Sequence, residues 1–463
     1  MEYIGIWSTN KEDVFDTEKS VPGTLKIEDK DITLTLNGSF EEITNFGKIK
    51  EYNQIFGFTK NGHFIVLLKT YTKNSTFSAP GYNTQVLGCE TCFDFQNPEY
   101  FKQNIKKITF ELNALSNYFY NDTFSFNPSD DGKSFTFNCN DNNKKIGFII
   151  GQNKFDLTRI WFTNEQNKDN NLFTCKSKFI ASLRDIDISN DNLEEFYYST
   201  YLIHISMICK FFMLLTNRYL AIKQTNIYSN TQKIGQIFDV RNKYSLNDDI
   251  SAYQKISLSF DDTETAIKSY ISKFNKYKNI IGMFSEHVYE FKQEKILRTK
   301  SSFINICGIL EDYYRNIKNV TRTEENDVFD ERLNLIKTKL DDEDCAWLDD
   351  TLKFNNQVSF RCILNNFFDD VDVLSNNIIS DIITKKKRKS LITKIFNTRN
   401  WFTHYGNKTN TLNDSALISV IDLLWIFLRY LLLNDFEANK ERLAETIKHD
   451  SHISYLIRKI INN

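Results

Sequence analysis

At 463 residues the chain is long enough for two or three domains, each with its own core. Hydrophobic residues make up 41% and charged residues 25%, which excludes a disordered protein. A net charge of −2 excludes one that coats nucleic acid by bulk electrostatics, so any RNA site must be a local patch.

Residues 1–190 read as strands and turns. Residues 32–36 alternate with period two before Asn37-Gly38, and 55–59, 63–68, 108–112, 124–126, 135–137 and 146–150 continue the pattern. Asn61-Gly62 and Asp130-Asp131-Gly132 supply turns. A sandwich or a barrel is expected, with a short helix near 97–105. From residue 193 the period becomes helical, over 193–221, 263–292 and 301–317, with an interruption of mixed pattern at 223–257. The expected fold is multidomain α+β: a β-rich domain at 1–190, a helical connector at 191–284 and an all-α bundle at 285–463.

Residues 197–215 and 417–433 approach membrane length, but the first carries His204 and Lys210 and the second Asp422 and Arg429. Charges in the middle of a span cost several kcal/mol, so buried helices are expected rather than membrane contact. Eight cysteines without secretory spacing, and a start lacking a basic and then apolar leader, point to a reduced, cytoplasmic setting. Cys89 and Cys92 are the one close cysteine pair; zinc would need two more ligands, and only Cys139 and Cys175 are at hand in this half. The acidic runs at 341–344 and 369–372 read as solvated helix faces, and His63, His204 and His287 as packing or surface residues. Neither a phosphate-cradling glycine loop nor a nucleophile elbow is present, and no cofactor is expected.

The motif that carries chemistry is Thr398-Arg399-Asn400-Trp401-Phe402-Thr403-His404-Tyr405. Arginine offers a permanent charge and a planar fork of donors suited to phosphate, and histidine moves a proton near neutral pH. Together they supply what cleavage of RNA by its own 2'-hydroxyl requires. A second arginine and histidine, Arg442 and His449, lie on an ordinary charged amphipathic helix and read as a decoy. Ile392, Ile395, Phe396 and Arg399 follow an i, i+3, i+4, i+7 stripe, which turns the guanidinium toward the packed face, where it needs a partner. His404 lies about 140° around an ideal helix from Arg399, whereas Asn400 and His404 share a face. Either the helix is distorted there or the site is completed across a subunit interface. The basic run Lys385, Lys386, Lys387, Arg388 and Lys389 sits just before this helix and reads equally as an RNA-phosphate contact or a solvated loop. Trp401 and Tyr405 offer faces for unpaired bases, with core packing the competing reading for Trp401.

The motif, with the apolar stretch at 417–433 after it, resembles the HEPN superfamily of nucleases. Residues 303–314, containing Glu311, look like that family's earlier core helix with an acidic residue facing the catalytic pair. Phe360-Arg361-Cys-Ile-Leu together with Thr398-Arg399-Asn400 is similar to the HEPN branch at the C-terminus of ApeA-type antiphage proteins. Gly5-Ile-Trp7, Val21-Pro22-Gly23-Thr24-Leu25 and Leu36-Asn-Gly38 are similar to the opening of ApeA N-terminal domains. The resemblance implies an abortive-infection effector whose HEPN domain is a metal-independent endoribonuclease. Arg399 and His404 would be catalytic, Asn400 would orient phosphate or imidazole, and Glu311 and Tyr405 would support them. It further implies a homodimer or higher homo-oligomer through the HEPN domain, a phage-encoded trigger sensed by the β-rich domain, and RNA as substrate, with transfer RNA suggested by analogy. The rival is a non-catalytic HEPN module that binds a partner protein or RNA.

Overall fold

In the computed structural model the chain forms two compact units. One comprises Met1–Phe212, Leu220–Ile250 and Ser259–Glu264, and the other Met213–Tyr219, Ser251–Leu258 and Thr265–Asn463. The structure describes all residues except 29–30, 42–48, 79–81, 113–114, 116–123, 129–134, 140–144, 165–173, 221, 241–255, 257, 293–299, 321–325, 353–357, 405–407 and 463.

The first unit resolves the choice between sandwich and barrel. Strands β1 (Glu2–Ser8), β2 (Val21–Ile27), β3 (Ile32–Leu36), β4 (Glu51–Thr59), β5 (Phe64–Ser78) and β6 (Tyr82–Phe95) pair antiparallel in the order β6-β3-β2-β1-β4-β5. β5 returns to β6 and closes a six-stranded barrel. The period-two residues Leu25, Ile27, Ile32, Leu34 and Leu36 point inward with Trp7, Ile55, Ile65 and Leu67. Asn61-Gly62 makes the β4–β5 turn as expected, with Gly62 at φ +83°. Residues 130–132, expected as another turn, lie outside the described residues.

Gly57 faces Trp7 across the β1–β4 pair, and a Cβ there would fall 2.3 Å from the indole ring. Glycine therefore lets the buried indole lie against the strand. At one end of the barrel the buried Asp94 carboxylate accepts from Tyr3 Oη at 2.9 Å and Gln236 Nε2 at 3.0 Å, and lies 2.6 Å from His63 Nδ1. His63 thus braces the β4–β5 hairpin.

The end of β6 pairs with β14 (Gln232–Asp239), which carries the sheet on through β13 (Ile222–Ser229), β7 (Lys107–Leu112), β12 (Thr174–Arg184), β11 (Asn153–Asn164) and β10 (Lys145–Ile150). β8 (Phe124–Pro128) and β9 (Phe135–Cys139) form a separate ribbon. The expected short helix is α1 (Pro98–Phe101), capped by the Asn97 side chain. Helix α2 (Leu193–Thr216) contains a π turn at Tyr197–Tyr201, where Tyr197 bonds Asp239 and Tyr201 bonds Thr225. Part of the segment read as an interruption of mixed pattern is the β13–β14 hairpin, so 191–284 is not helical throughout. The polar residues of Gln232–Asp239 hide its alternation, and Asn230 at φ +55° makes its turn.

The second unit is helical. α3 (Phe260–Lys292) leads into it, and after it come α4 (Lys300–Asp312), α5 (Asn326–Lys337), α6 (Asp342–Leu352), α7 (Phe360–Leu374), α8 (Ile378–Ile382), α9 (Lys385–His404), α10 (Asp414–Asp435), α11 (Lys440–His449) and α12 (Ser451–Asn462). α2 and α10 are long and apolar enough to cross a membrane by length and composition, yet the apolar window of α10 is 89% buried inside the protein. Its buried Arg429 donates to the carbonyls of Leu214 and Leu215 at 2.5 and 3.2 Å, which satisfies a charge that would otherwise be costly. At its C-terminal end Asp435 accepts from Tyr313 at 2.7 Å, Tyr277 at 3.2 Å and Lys318 at 2.6 Å, tying α3, α10 and the π turn after α4 into one node.

Because the Trp7 ring is fully buried and cannot retreat, Gly57→Ala is expected to destabilise the barrel by about 1–3 kcal/mol. Urea unfolding followed by Trp fluorescence measures it.

Candidate active site

Helix α9 forms from strong helix formers at its start and an apolar stripe in its middle. Leu391, Ile392 and Ile395 are buried, and Arg399 continues that stripe one turn on. The guanidinium reaches α4, where its Nη2 donates to Glu311 Oε1 at 3.3 Å. Nη1 donates to Asn400 Oδ1 at 3.3 Å, and Cζ lies 5.7 Å from the Phe360 ring centre. Both charged side chains are about a quarter exposed, 27% for Arg399 and 24% for Glu311. The fork is therefore fixed in direction and still open to solvent on one side.

One turn before Glu311, Cys307 is buried against the same pair. Burial pushes its thiol well above the usual range; Arg399 opposes that shift and Glu311 reinforces it.

The α9 helix runs to His404, which is exposed and has no hydrogen-bond partner among the described residues. The structure thus brings Arg399, Asn400 and Glu311 together and leaves His404 at the helix end on the Asn400 side. Tyr405 lies outside the described residues. The chain returning from the end of α9 is nevertheless tied back to the helix. The fully buried Thr398 donates to Lys394 O at 2.7 Å and accepts from Leu412 N at 2.8 Å. Asn397 Nδ2 reaches Thr409 O and Asn410 O at 3.4 Å each. These two positions have a structural job that sequence reading missed. The available signal was a threonine on the buried side of an otherwise polar turn.

The basic run does not precede the helix; it is its first turn, since lysine and arginine are good helix formers. Lys385, Lys386, Lys387 and Lys389 are exposed, whereas Arg388 pairs with Asp369 at 2.6 Å and donates to Asn365 O at 3.0 Å. His404 lies nineteen positions after Lys385, which is roughly 28 Å of helix axis. Cys89 and Cys92 face the barrel core, and the Cys89 thiol donates to Leu68 O at 3.3 Å and Thr91 O at 3.0 Å. Among the described residues no group of three His, Cys, Asp or Glu could hold a metal ion. His287 stacks on Trp425 with ring centres 4.6 Å apart.

Family models match two stretches of the chain. Residues 2–274, more than half of it, match the model of ApeA N-terminal domain 1. The chain belongs to the ApeA family. Residues 304–442 of this ApeA-family chain match the Apea-like HEPN model, a range that holds Glu311, Arg399, Asn400 and His404. No curated protein and no solved structure matches it. HEPN domains are generally ribonucleases, and membership of the ApeA family supports an antiphage HEPN effector.

In the ApeA-type HEPN unit, Thr398→Val keeps the shape but leaves the buried Leu412 N–H unpaired, so stability should fall by about 1–3 kcal/mol in urea unfolding. Burial pushes the Cys89 and Cys209 thiols up to about 12 and raises Cys307 as well, so their thiolate forms are scarce at pH 8. Iodoacetamide followed by mass spectrometry should label the partly exposed Cys345 and Cys362 of the native protein and spare those three.

Proposed function

We propose that this ApeA-family protein is an antiphage effector whose HEPN domain is a metal-independent endoribonuclease. Its substrate would be single-stranded or loop RNA, with transfer RNA the first class to test. His404 takes the proton from a ribose 2'-hydroxyl, the 2'-oxygen bonds to the adjacent phosphorus, and the bond from phosphorus to the 5'-oxygen breaks. The leaving oxygen takes a proton, which gives a 2',3'-cyclic phosphate and a 5'-hydroxyl end. Arg399 stabilises the charge that builds on the phosphoryl oxygens, and Asn400, already bonded to it, orients phosphate or imidazole.

The observation that carries this reading is a guanidinium fixed by Glu311 one turn ahead of an exposed imidazole that has no hydrogen-bond partner among the described residues, within a HEPN domain. His404 and Arg399 point to different sides of an undistorted helix, so the site is read as shared between two copies in a homodimer, one giving Arg399 and the other His404. A monomer is then inactive. The β-rich domain acts as the sensor that holds this state in the cytoplasm until a phage-encoded trigger appears.

The purified protein should cut total RNA and leave cyclic phosphate ends when a phage lysate supplies the trigger, and cut far less without it. Arg399→Ala and His404→Ala should each lower the rate by on the order of 10² or more. Mixing the two variants should restore about a quarter of wild-type activity, because half of randomly paired dimers then hold one intact site of two. Cleavage unaffected by either substitution defeats the nuclease assignment and leaves a binding module; loss in both without rescue defeats the shared site.

A further inference from the structure

The charges around Arg399 do not account for how RNA would be held. Arg399 and Glu311 sum to zero at 3.3 Å, so this pair exerts little net attraction on a phosphate. Of the basic run, Arg388 is taken by Asp369, and the exposed lysines begin roughly 28 Å of helix away from His404.

Cations of another kind lie close by. Arg361, exposed on α7, places its Cζ 4.7 Å from the centre of the Phe396 ring, and Lys408, exposed in the return loop, places Nζ 4.7 Å from the Trp401 ring. Neither has a carboxylate partner among the described residues. Phe396, Asn400 and His404 succeed one another at i, i+4, i+8, and Trp401 precedes His404 by three, so the two rings flank the Asn400–His404 stripe. From Phe396 to His404 the axis runs about 12 Å, room for a scissile phosphate and its neighbours. Lys300, 5.5 Å from the Phe402 ring, adds a third such pairing at the same end of α9. A long cationic side chain seated on an aromatic face keeps its charge and loses rotamer freedom before a ligand arrives, so less ordering remains to be done on binding.

We propose that single-stranded RNA is held over the C-terminal half of α9 by Arg361 and Lys408, which bind the phosphates on either side of the one that reacts. This rests on the ribonuclease reading for its substrate, but binding can be measured without cleavage.

The probe is a 2'-O-methylated single-stranded oligoribonucleotide, which cannot supply the attacking hydroxyl, titrated against the full-length protein over a salt series. Arg361→Ala and Lys408→Ala should each weaken binding several-fold and flatten the slope of log affinity against log salt by about 0.7, the loss of one phosphate contact on a single strand. Arg361→Lys, which keeps the charge, should restore most of the slope. Replacing Lys385, Lys386 and Lys387 together should cost less than either single change. Wild-type-like affinity and slope in both single variants, a larger loss in the triple variant, or failure of the wild-type protein to bind the probe each overturn the proposal. Should the protein bind as expected yet cut no RNA, the nuclease reading fails and the binding surface stands.

Discussion

The ion pair between Glu311 and Arg399 is the contact on which the rest of the site depends. At about a quarter exposure on each side, such a pair adds no more than about 1 kcal/mol to stability, so its value is not in holding the bundle together. Its effect is directional. A guanidinium continuing the apolar stripe of α9 would be turned into the packed face without compensation, and a neighbouring carboxylate makes that position tolerable. The bonds to Glu311 and Asn400 occupy only part of the fork, so donors remain for a phosphate while the group as a whole cannot swing away.

Each partner of this pair is anchored by its neighbours in sequence. Next to Arg399, Thr398 is buried and bonded both to its own helix and to the return loop. Shortly after Glu311, the π turn at Tyr313–Ile317 buries two consecutive tyrosines, one bonded to Asp435 at the end of α10 and the other to Asp370 on α7. The buried helix α10 and helix α7 therefore fix where α4 presents its carboxylate. A lesion in Tyr313 or Thr398 would move the ion pair without touching it, through loss of buried hydrogen bonds rather than loss of charge.

How much of this the sequence disclosed depends on which interactions are local. Strand β3 alternates with period two because one face of it is buried, so 32–36 could be read directly; the pairing of β3 with β6, about fifty residues on, joins segments that no local pattern connects. The β13–β14 hairpin escaped because it is rich in polar residues, and its place is set by β7 and β6, far off in the chain. At the site, the stripe Ile392, Ile395, Phe396, Arg399 sufficed to direct the guanidinium inward and to call for a partner, but it was the resemblance to HEPN domains, not any spacing, that pointed to Glu311. The return-loop bonds of Asn397 and Thr398, and the seating of Arg361 on Phe396, are contacts between separate elements and left no periodic trace. The basic run is the opposite case. Its composition is conspicuous, but composition does not say that Arg388 is already spent on Asp369 or that the run opens the same helix at its far end.

The separation of the guanidinium of Arg399 from the imidazole of His404 along one helix would, on the proposed mechanism, have a consequence for control. In a site shared between two copies, Arg399 is compensated within its own chain and His404 faces outward with nothing to act on, so neither group is harmful alone. On the proposed shared site, reaction would need a second copy to bring its imidazole to the first copy's guanidinium, and the rate would depend on how often two chains meet in the correct register rather than on any rearrangement of the ion pair. Regulation of such an enzyme need not distort the active site. A change that shifts the association equilibrium by about 1.4 kcal/mol alters the concentration needed for pairing tenfold, which lies within what a single bound trigger can supply.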